Sequence, residues 1–520
     1  MSAQTAGVHP PAEVIIGLDV GTTAAKVVAF GLGSPWRHTA IREYPLVQPA
    51  PGWQVQDPQA IAAAVQGALA ECVDAVGGSS VVALSVSAAM HGLIGLDAKL
   101  RPLTPLVTWA DARARDEARS LRESGLAGAL YRTSGTPVHP MSPLTKLMWF
   151  SAHEPQLCAT VRYWVGLKDY VLVTLTGTLA TELSSASGTG MLDLQTRDWS
   201  PAAIDLAGIS ADQLPPVLPT TSALGLMKTV ANRVGLPVGL PVVVGAADGP
   251  LGNLGTNAMA PGVVGLSLGT SGAVRMVVPE PMLDPDGRLF CYALTDEHWV
   301  IGGAVSNGGV VVRWAGGIFG RDLAGDAGGV APDAALLALA ESVPPGSDGL
   351  LMLPYLLAER APLWDPDLTG AFLGIRHAHT RGHFVRAAVE GVALQLSTIV
   401  DRLDRIEPVT SVRATGGVFR SPLWRDIMAG ALGRPVCVTG GAEGSALGAA
   451  ALGLYALGRV SELGDGVGVL EPDDADASSS AMPAAMPEHS EVYARMRAAV
   501  PGLLAAYDDV ARLFRSMGED

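Results

Sequence analysis

Two stretches of the chain repeat one pattern of apolar and polar positions. Val14 to Leu18 is an apolar run that ends at a single acid, Asp19; a Gly21-Thr22-Thr23 turn and a second apolar run, Val27 to Phe30, follow at once. The pattern predicts a hairpin of two buried strands whose turn carries the polar chemistry. Val263 to Val278 reads the same way, with Gly269, Thr270 and Ser271 between two apolar runs and Ser267 where the first copy has Asp19. The offset, 267 − 19 = 248, is close to half of 520 residues and predicts a duplicated domain with a ligand held between the turns. Only the first copy offers a carboxylate.

Glycine in such a turn lets backbone N–H groups approach phosphate oxygens, threonine donates hydrogen bonds, and an aspartate can hold Mg²⁺, usually through water. An ordinary hairpin with threonine in its turn remains the plainer alternative for either copy alone. Other punctuation places further elements. Asp57-Pro58 opens a helix that Gly77-Gly78 ends, and Val81 to Ser87 is the next strand, with Met90 and His91 just beyond it. Ligands collect at strand C-termini in open α/β sheets, although a histidine there is also a common structural residue. Val242 to Gly245 is a short buried strand that leads to Asp248, Gly249 and Pro250. An acid at that tip is costly unless solvated or used, and it could equally cap a helix. Arg132 to Trp149, rich in proline and polar residues, predicts a shaped loop leading into a helix that carries Lys146 and Trp149. Thr380 to Ile406 predicts a long core helix.

Composition narrows the function. With 48% apolar and 16% charged residues the chain has ample core, and a net charge of −15 with a pI near 5.1 argues against a nucleic-acid or anionic-membrane partner. Any anionic ligand therefore needs a locally positive pocket. Cys72, Cys158, Cys291 and Cys437 lie far apart without CxxC spacing and read as reduced thiols of a cytoplasmic protein. The first dozen residues lack the pattern of a signal peptide, and Gly or polar residues interrupt each apolar stretch before membrane-spanning length. No GxxxxGK[ST], GxGxxG or HExxH is present, which removes P-loop kinases, Rossmann dehydrogenases and metalloproteases.

The paired hairpins resemble those that clamp phosphates in the actin, hexokinase and heat-shock ATPase superfamily. Within it the chain resembles the FGGY carbohydrate kinases along nearly its whole length, through AAMHGLIGLD around Met90, Trp109-x-Asp111-x-Arg113, and RTSGTPVHPMSPLTKLMW from Arg132. The resemblance implies an α/β protein of two RNase H-like domains with an interdomain cleft. Residues 1–12 would be a disordered tail, 13–256 the sugar-binding domain and 257–520 the nucleotide-binding domain, with a homodimer as one assembly open to it. It implies ATP and Mg²⁺ as cofactors, Asp19 positioning the metal and Asp248 as general base. Met90, His91, Trp109, Asp111, Arg113, His139 and Lys146 would then meet the substrate. Thr22, Thr23, Lys26, Gly269, Thr270, Ser271, Gly309, Arg313, Gly416, Gly417 and Ser421 would meet the nucleotide, with Arg313 standing where relatives commonly carry glutamine. Glu443 to Leu452, a small-residue helix start, would close the adenosine pocket or simply pack closely. The segments around Met90 and Arg132 look most like those of gluconate-phosphorylating members, and Arg132, His139 and Lys146 would offset a substrate carboxylate. A pentulose or polyol acceptor is the near alternative, and a nucleotide-gated binding protein of the actin type the distant one.

Overall fold

The structure, a computed structural model, describes residues 11–323, 332–439, 444–472, 480–481 and 487–516. Most of the expected tail, Glu443 and the polar stretch Asp473 to Ser479 lie outside the described residues.

The first hairpin forms as its pattern predicts. Val14–Val20 (β1) pairs antiparallel with Ala24–Gly31 (β2), which pairs with Arg37–Glu43 (β3). On its other side β1 runs parallel to Val81–Ala88 (β4), and β4 parallel to Pro241–Ala247 (β5). Continuous apolar runs suit strands covered on both faces. Pro58–Val76 (α1) supplies one cover: Asp57 caps it by accepting from Gln59 N, and Ile61, Val65, Leu69 and Val73 lie in the core with the sheet. Among the described residues this is the one helix long and apolar enough to cross a membrane. Pro143–His153 (α2) starts at Ser142-Pro143 and carries Lys146 and Trp149, as the sequence predicts, and it buries Lys146. Asp248–Gly255 (α3) leaves the end of β5.

The second sheet repeats the arrangement. Val263–Leu268 (β6), Gly272–Val278 (β7), Trp299–Val305 (β8), Ser411–Thr415 (β9) and Val436–Val438 (β10) lie in the order β8-β7-β6-β9-β10, as the first five lie β3-β2-β1-β4-β5. The third-second-first-fourth-fifth order, present twice, is that of the RNase H-like fold. Gly309–Phe319 (α4), Arg381–Ile406 (α5) and Pro422–Leu432 (α6) accompany the second sheet, and Gly444–Ala456 (α7) follows.

The two hairpins are not identical. Val20 pairs with Ala25, whereas Leu268 pairs with Gly272, so the second turn is one residue shorter. Ser267 therefore faces Ala273, where Asp19 faces Lys26. A cation survives nearby, since Arg275 donates to Ser267 Oγ at 3.4 Å.

By packing, one compact unit comprises Met1–Met259, Val277–Ile301 and Gly441–Ala477, and the other Ala260–Met276, Gly302–Gly440 and Ser478–Asp520. The expected division after residue 256 follows chain order, while α7 packs with the first unit. Its small residues explain how. A methyl on Gly448 would lie 1.9 Å from Leu251 O of α3, and one on Gly17 of β1 would lie 2.1 Å from Ala446 O. Of the two roles the sequence offered this helix, close packing is the one observed, and it fixes the element that begins with Asp248. Gly448→Ala must push α7 off α3 and is expected to cost about 1–3 kcal/mol, read as a lower denaturation midpoint in urea.

Candidate active site

In the first unit the C-terminal ends of β1, β4 and β5 bring two acids together. Asp19 lies beside Ser87 of β4, whose Oγ donates to its Oδ1 at 3.2 Å, and opposite Lys26 of β2. Asp248 is the first residue of α3, one position inside the helix, with Ala247 at the N-cap; the simple capping role does not hold. Its Oδ1 accepts from Gly249 N at 2.8 Å, and the positive end of the helix favours its ionised form. Ser184 Oγ accepts from Ala247 N, and Ser445 of α7 donates to Asp248 O. Burial raises Asp19 to about 6, the charge of Asp248 adds to the rise, and Lys26 and Ser87 oppose it. The two carboxylates thus sense each other.

The glycine turn beside them is held from several sides. Tyr44 OH donates to Gly21 O, Gln56 Nε2 to Thr22 O at 2.7 Å, and Trp109 Nε1 to Thr22 Oγ1 at 2.9 Å. Thr22, Met90 and Trp109 line one small cavity, so three of the expected contacts converge. Thr23 is exposed. His91 adopts φ +63°, uncommon for a residue with a side chain, and its Nδ1 pairs with Gly188 O at 2.8 Å while its ring meets Tyr292 edge-on. A methyl on Gly188 would come within 2.5 Å of Met90 Cε, so this glycine makes the room that the dipeptide occupies.

Two residues expected at the substrate are engaged with each other. Asp111 and Arg113 form a buried bidentate pair at 2.8 and 2.9 Å, and Asp111 also accepts from the main-chain N of Gln54 and Arg113. Four donors on two oxygens leave that carboxylate no capacity for sugar hydroxyls. The guanidinium lies 3.8 Å over the Trp53 ring, so the pair locks the Trp109 segment. His139 is buried, with Nδ1 accepting from Met141 N and its carbonyl taking the Ser142 and Thr145 hydroxyls, which shapes the loop ahead of α2. Arg132 is exposed at the end of the helix Ala127–Ser134. Lys146 is fully buried against main-chain carbonyls.

Sequence reasoning missed a buried ion pair behind Asp248. Lys168 and Glu182 are joined, Glu182 caps the short helix that contains Ser184, and the Lys168 ammonium also feels Asp248. The signal was present, since Lys168 and Asp169 interrupt the apolar run of Trp164 to Val173, and charges are rarely buried unpaired.

In the second unit the turn at Gly269 is propped by α4. Gly308 N and Val310 N donate to Thr270 O, Gly309 N donates to Gly269 O at 2.7 Å, and Arg313 Nη2 reaches Thr270 Oγ1 at 2.6 Å. Gly309 and Arg313 thus meet Gly269 and Thr270 directly, while Ser271 completes the turn. Gly416 has φ +130°, and a methyl there would sit 2.0 Å from Leu268 O; Gly417 beside it is exposed. Ser421 caps α6 by accepting from Trp424 N, as its sequence position predicts. Among the described residues no group of three or more His, Cys, Asp or Glu could hold a metal.

A twice-built RNase H-like fold, with acids at two strand ends beside a glycine-threonine turn, is the architecture of the actin, hexokinase and heat-shock ATPase superfamily. Models of the FGGY family of carbohydrate kinases match residues 14–255 as the N-terminal domain and 264–457 as the C-terminal domain, and the chain belongs to that family. It is 40% identical over 86% of its length to a gluconokinase of Bacillus subtilis (strain 168), covering 88% of that protein. It is 31% identical to a xylulose kinase of Escherichia coli (strain K12), over 84% of this chain and 89% of that one. Among solved structures it is similar to a ligand-bound xylulose kinase from Lactobacillus acidophilus, with TM-score 0.89, 31% identity and coverage of 96% and 100%. A gluconate kinase from the same organism gives TM-score 0.86, 31% identity and coverage of 96% and 98%. Membership makes the chain a carbohydrate kinase with ATP as its expected phosphoryl donor.

The Asp19 environment gives a test that needs no turnover. Its folded value lies above the ordinary 3.8, so the folded protein keeps the proton longer than the unfolded chain, and stability falls as pH rises from about 4 to about 6. Asp19→Asn removes that penalty. In divalent-free buffer the variant is expected to melt above wild type at pH 8, with the gain shrinking toward pH 4 in thermal denaturation.

Proposed function

We propose that this kinase transfers the γ-phosphoryl group of ATP to the terminal hydroxyl of a sugar acid, D-gluconate foremost. The observation that carries the acceptor is the 40% identity to a protein named gluconokinase, against 31% for a named xylulose kinase. A pentulose is the second reading, supported by the xylulose kinase structure at TM-score 0.89.

The acceptor would lie against Met90, His91 and Trp109. Asp248 accepts the proton of the attacking hydroxyl as its oxygen bonds to the γ-phosphorus and the bond to the β,γ-bridging oxygen breaks, leaving ADP. Phosphoryl transfer is loose, so Asp248 need not take the proton early. Lys26 would neutralise phosphate charge. Thr22 and Thr23 would donate to phosphate oxygens. Within the second unit Gly269, Thr270 and Ser271 would meet the nucleotide, with Gly309 and Arg313 bracing that turn. Gly416, Gly417 and Ser421 would receive the adenosine, where two glycines leave backbone bare enough for a flat base. Most of the rate then comes from positioning and charge.

A divalent metal fits the donor set. Asp19 is a hard oxygen ligand whose repulsion from Asp248 a cation relieves, and Mg²⁺ commonly takes one or two carboxylates and completes its shell with water and phosphate. Asp19 would hold it, directly or through water, and the ion would supply neutralisation of phosphate charge. The same reading places the enzyme in the cytoplasm.

Asp248→Ala is expected to lower kcat by about two decades or more with little change in acceptor affinity. An unchanged kcat removes Asp248 from the chemistry. For the acceptor, kcat/KM measured with ATP on gluconate, xylulose, ribulose and glycerol should rank gluconate first; xylulose first would establish the second reading.

A further inference from the structure

Lys146 is 0% exposed, and its ammonium is bonded to the main chain of two different segments. Nζ donates to His91 O at 2.6 Å and to Thr108 O at 2.7 Å. The first carbonyl belongs to the residue held at φ +63° after β4. The second immediately precedes Trp109, whose indole N–H reaches Thr22 Oγ1 of the glycine turn. One side chain on α2 therefore joins the His91 segment to the Trp109 segment, and through Trp109 to the phosphate turn. We propose that Lys146 is a positioning residue, which assembles His91 and Trp109 into one acceptor-binding surface by satisfying both carbonyls and does not itself bind the acceptor's carboxylate.

This inference rests on the reading of His91 and Trp109 as acceptor contacts. Three arguments favour it over the alternative, a lysine that neutralises the substrate. Two short bonds to main-chain carbonyls, one of them buried, fix the ammonium, and withdrawing it toward a ligand would leave both oxygens without this donor. The left-handed His91 backbone is strained and needs its surroundings to hold it. Burial also pulls the ammonium down to about 7, with Asp111 favouring the charge and Arg113 opposing it. A clamp on two carbonyls needs only two N–H donors, which a neutral amine keeps. A carboxylate ligand needs the charge, which this site does not favour.

The two roles separate by acceptor chemistry. Removing a carboxylate ligand weakens acid acceptors alone, whereas loosening the shared surface weakens acid and neutral acceptors alike. The experiment is steady-state kinetics of wild type, Lys146→Met and Lys146→Gln with saturating ATP. Gluconate serves as the acid acceptor, and a neutral polyol of similar length is read as substrate or as competitive inhibitor. The Met variant is expected to weaken both by the same factor, about ten- to a hundredfold, with KM for ATP within about twofold of wild type. The Gln variant, which keeps two N–H donors without charge, should fall between Met and wild type. A loss confined to gluconate, or no loss, overturns the proposal. Should Lys146→Met fail to fold, Lys146→Gln carries the same comparison, with equal weakening supporting the proposal and gluconate-only or absent weakening overturning it. His91→Ala and Trp109→Phe run in parallel. If neither raises acceptor KM, the acceptor surface falls and the proposal with it; if both do while the Lys146 variants do not, the positioning role alone falls.

Discussion

The site depends on an electrostatic tension that the fold alone would not choose. Asp19 is half-buried at the end of β1, where desolvation and Asp248 at the end of β5 both raise it, and only β4 separates the two strands. Two carboxylates near one another in low dielectric destabilise the folded state unless a cation or a proton intervenes. Lys26 and the Ser87 hydroxyl relieve Asp19 only in part, because the net shift remains upward. Such a pair suits a protein that handles a polyanion with its counter-ion, since the repulsion that weakens the resting fold becomes attraction for the ion. Stability and chemistry pull in opposite directions at Asp19, as they often do at reaction centres.

Much of the scaffold exists to hold that pair in place. Asp248 opens a helix whose other side meets α7 at main-chain distance, and α7 in turn touches β1 at Gly17, two residues from Asp19. One small-residue helix, contributed by chain that follows the second sheet, thus backs both acids. Ser445 adds a hydrogen bond to the carbonyl of Asp248, and Ser184 takes the N–H just before it. Close-packed interiors transmit strain, so such glycine contacts bear directly on where the two acids lie.

What the sequence made legible was local. The hairpins, the Asp57-Pro58 helix start, the Ser421 cap and the strand leading to Asp248 all follow from nearest-neighbour chemistry, and each forms where the residues predict. The duplication was legible because two hairpins share a pattern, and the sheet order bears it out. Partnership was not legible. That Asp111 meets Arg113 is a short-range fact, but that Gln54 N completes the shell of Asp111 and Trp53 covers the guanidinium depends on a segment some sixty residues away in sequence. The return of α7 to the first unit is non-local in the same sense. The one-residue shortening of the second turn also escaped, because a fixed offset of 248 aligns residue types and not hydrogen-bond register.

The fate of the cations near the acceptor side bears on how an acid is told from a neutral sugar. Arg113 is engaged by Asp111, Lys168 by Glu182, Lys146 by two carbonyls, and Arg132 is exposed at a helix end. Each of the buried three answers to a partner within the protein, which is how a buried charge avoids the cost of desolvation. A scaffold arranged in this way keeps these cations for its own partners. Discrimination by one added carboxylate then needs few substitutions on a common frame. That agrees with the near-equal likeness of this chain to a gluconate kinase and a xylulose kinase, at TM-scores of 0.86 and 0.89 and the same 31% identity. Fold similarity of that kind accompanies more than one acceptor, so the acceptor is set by a handful of side chains and not by the frame.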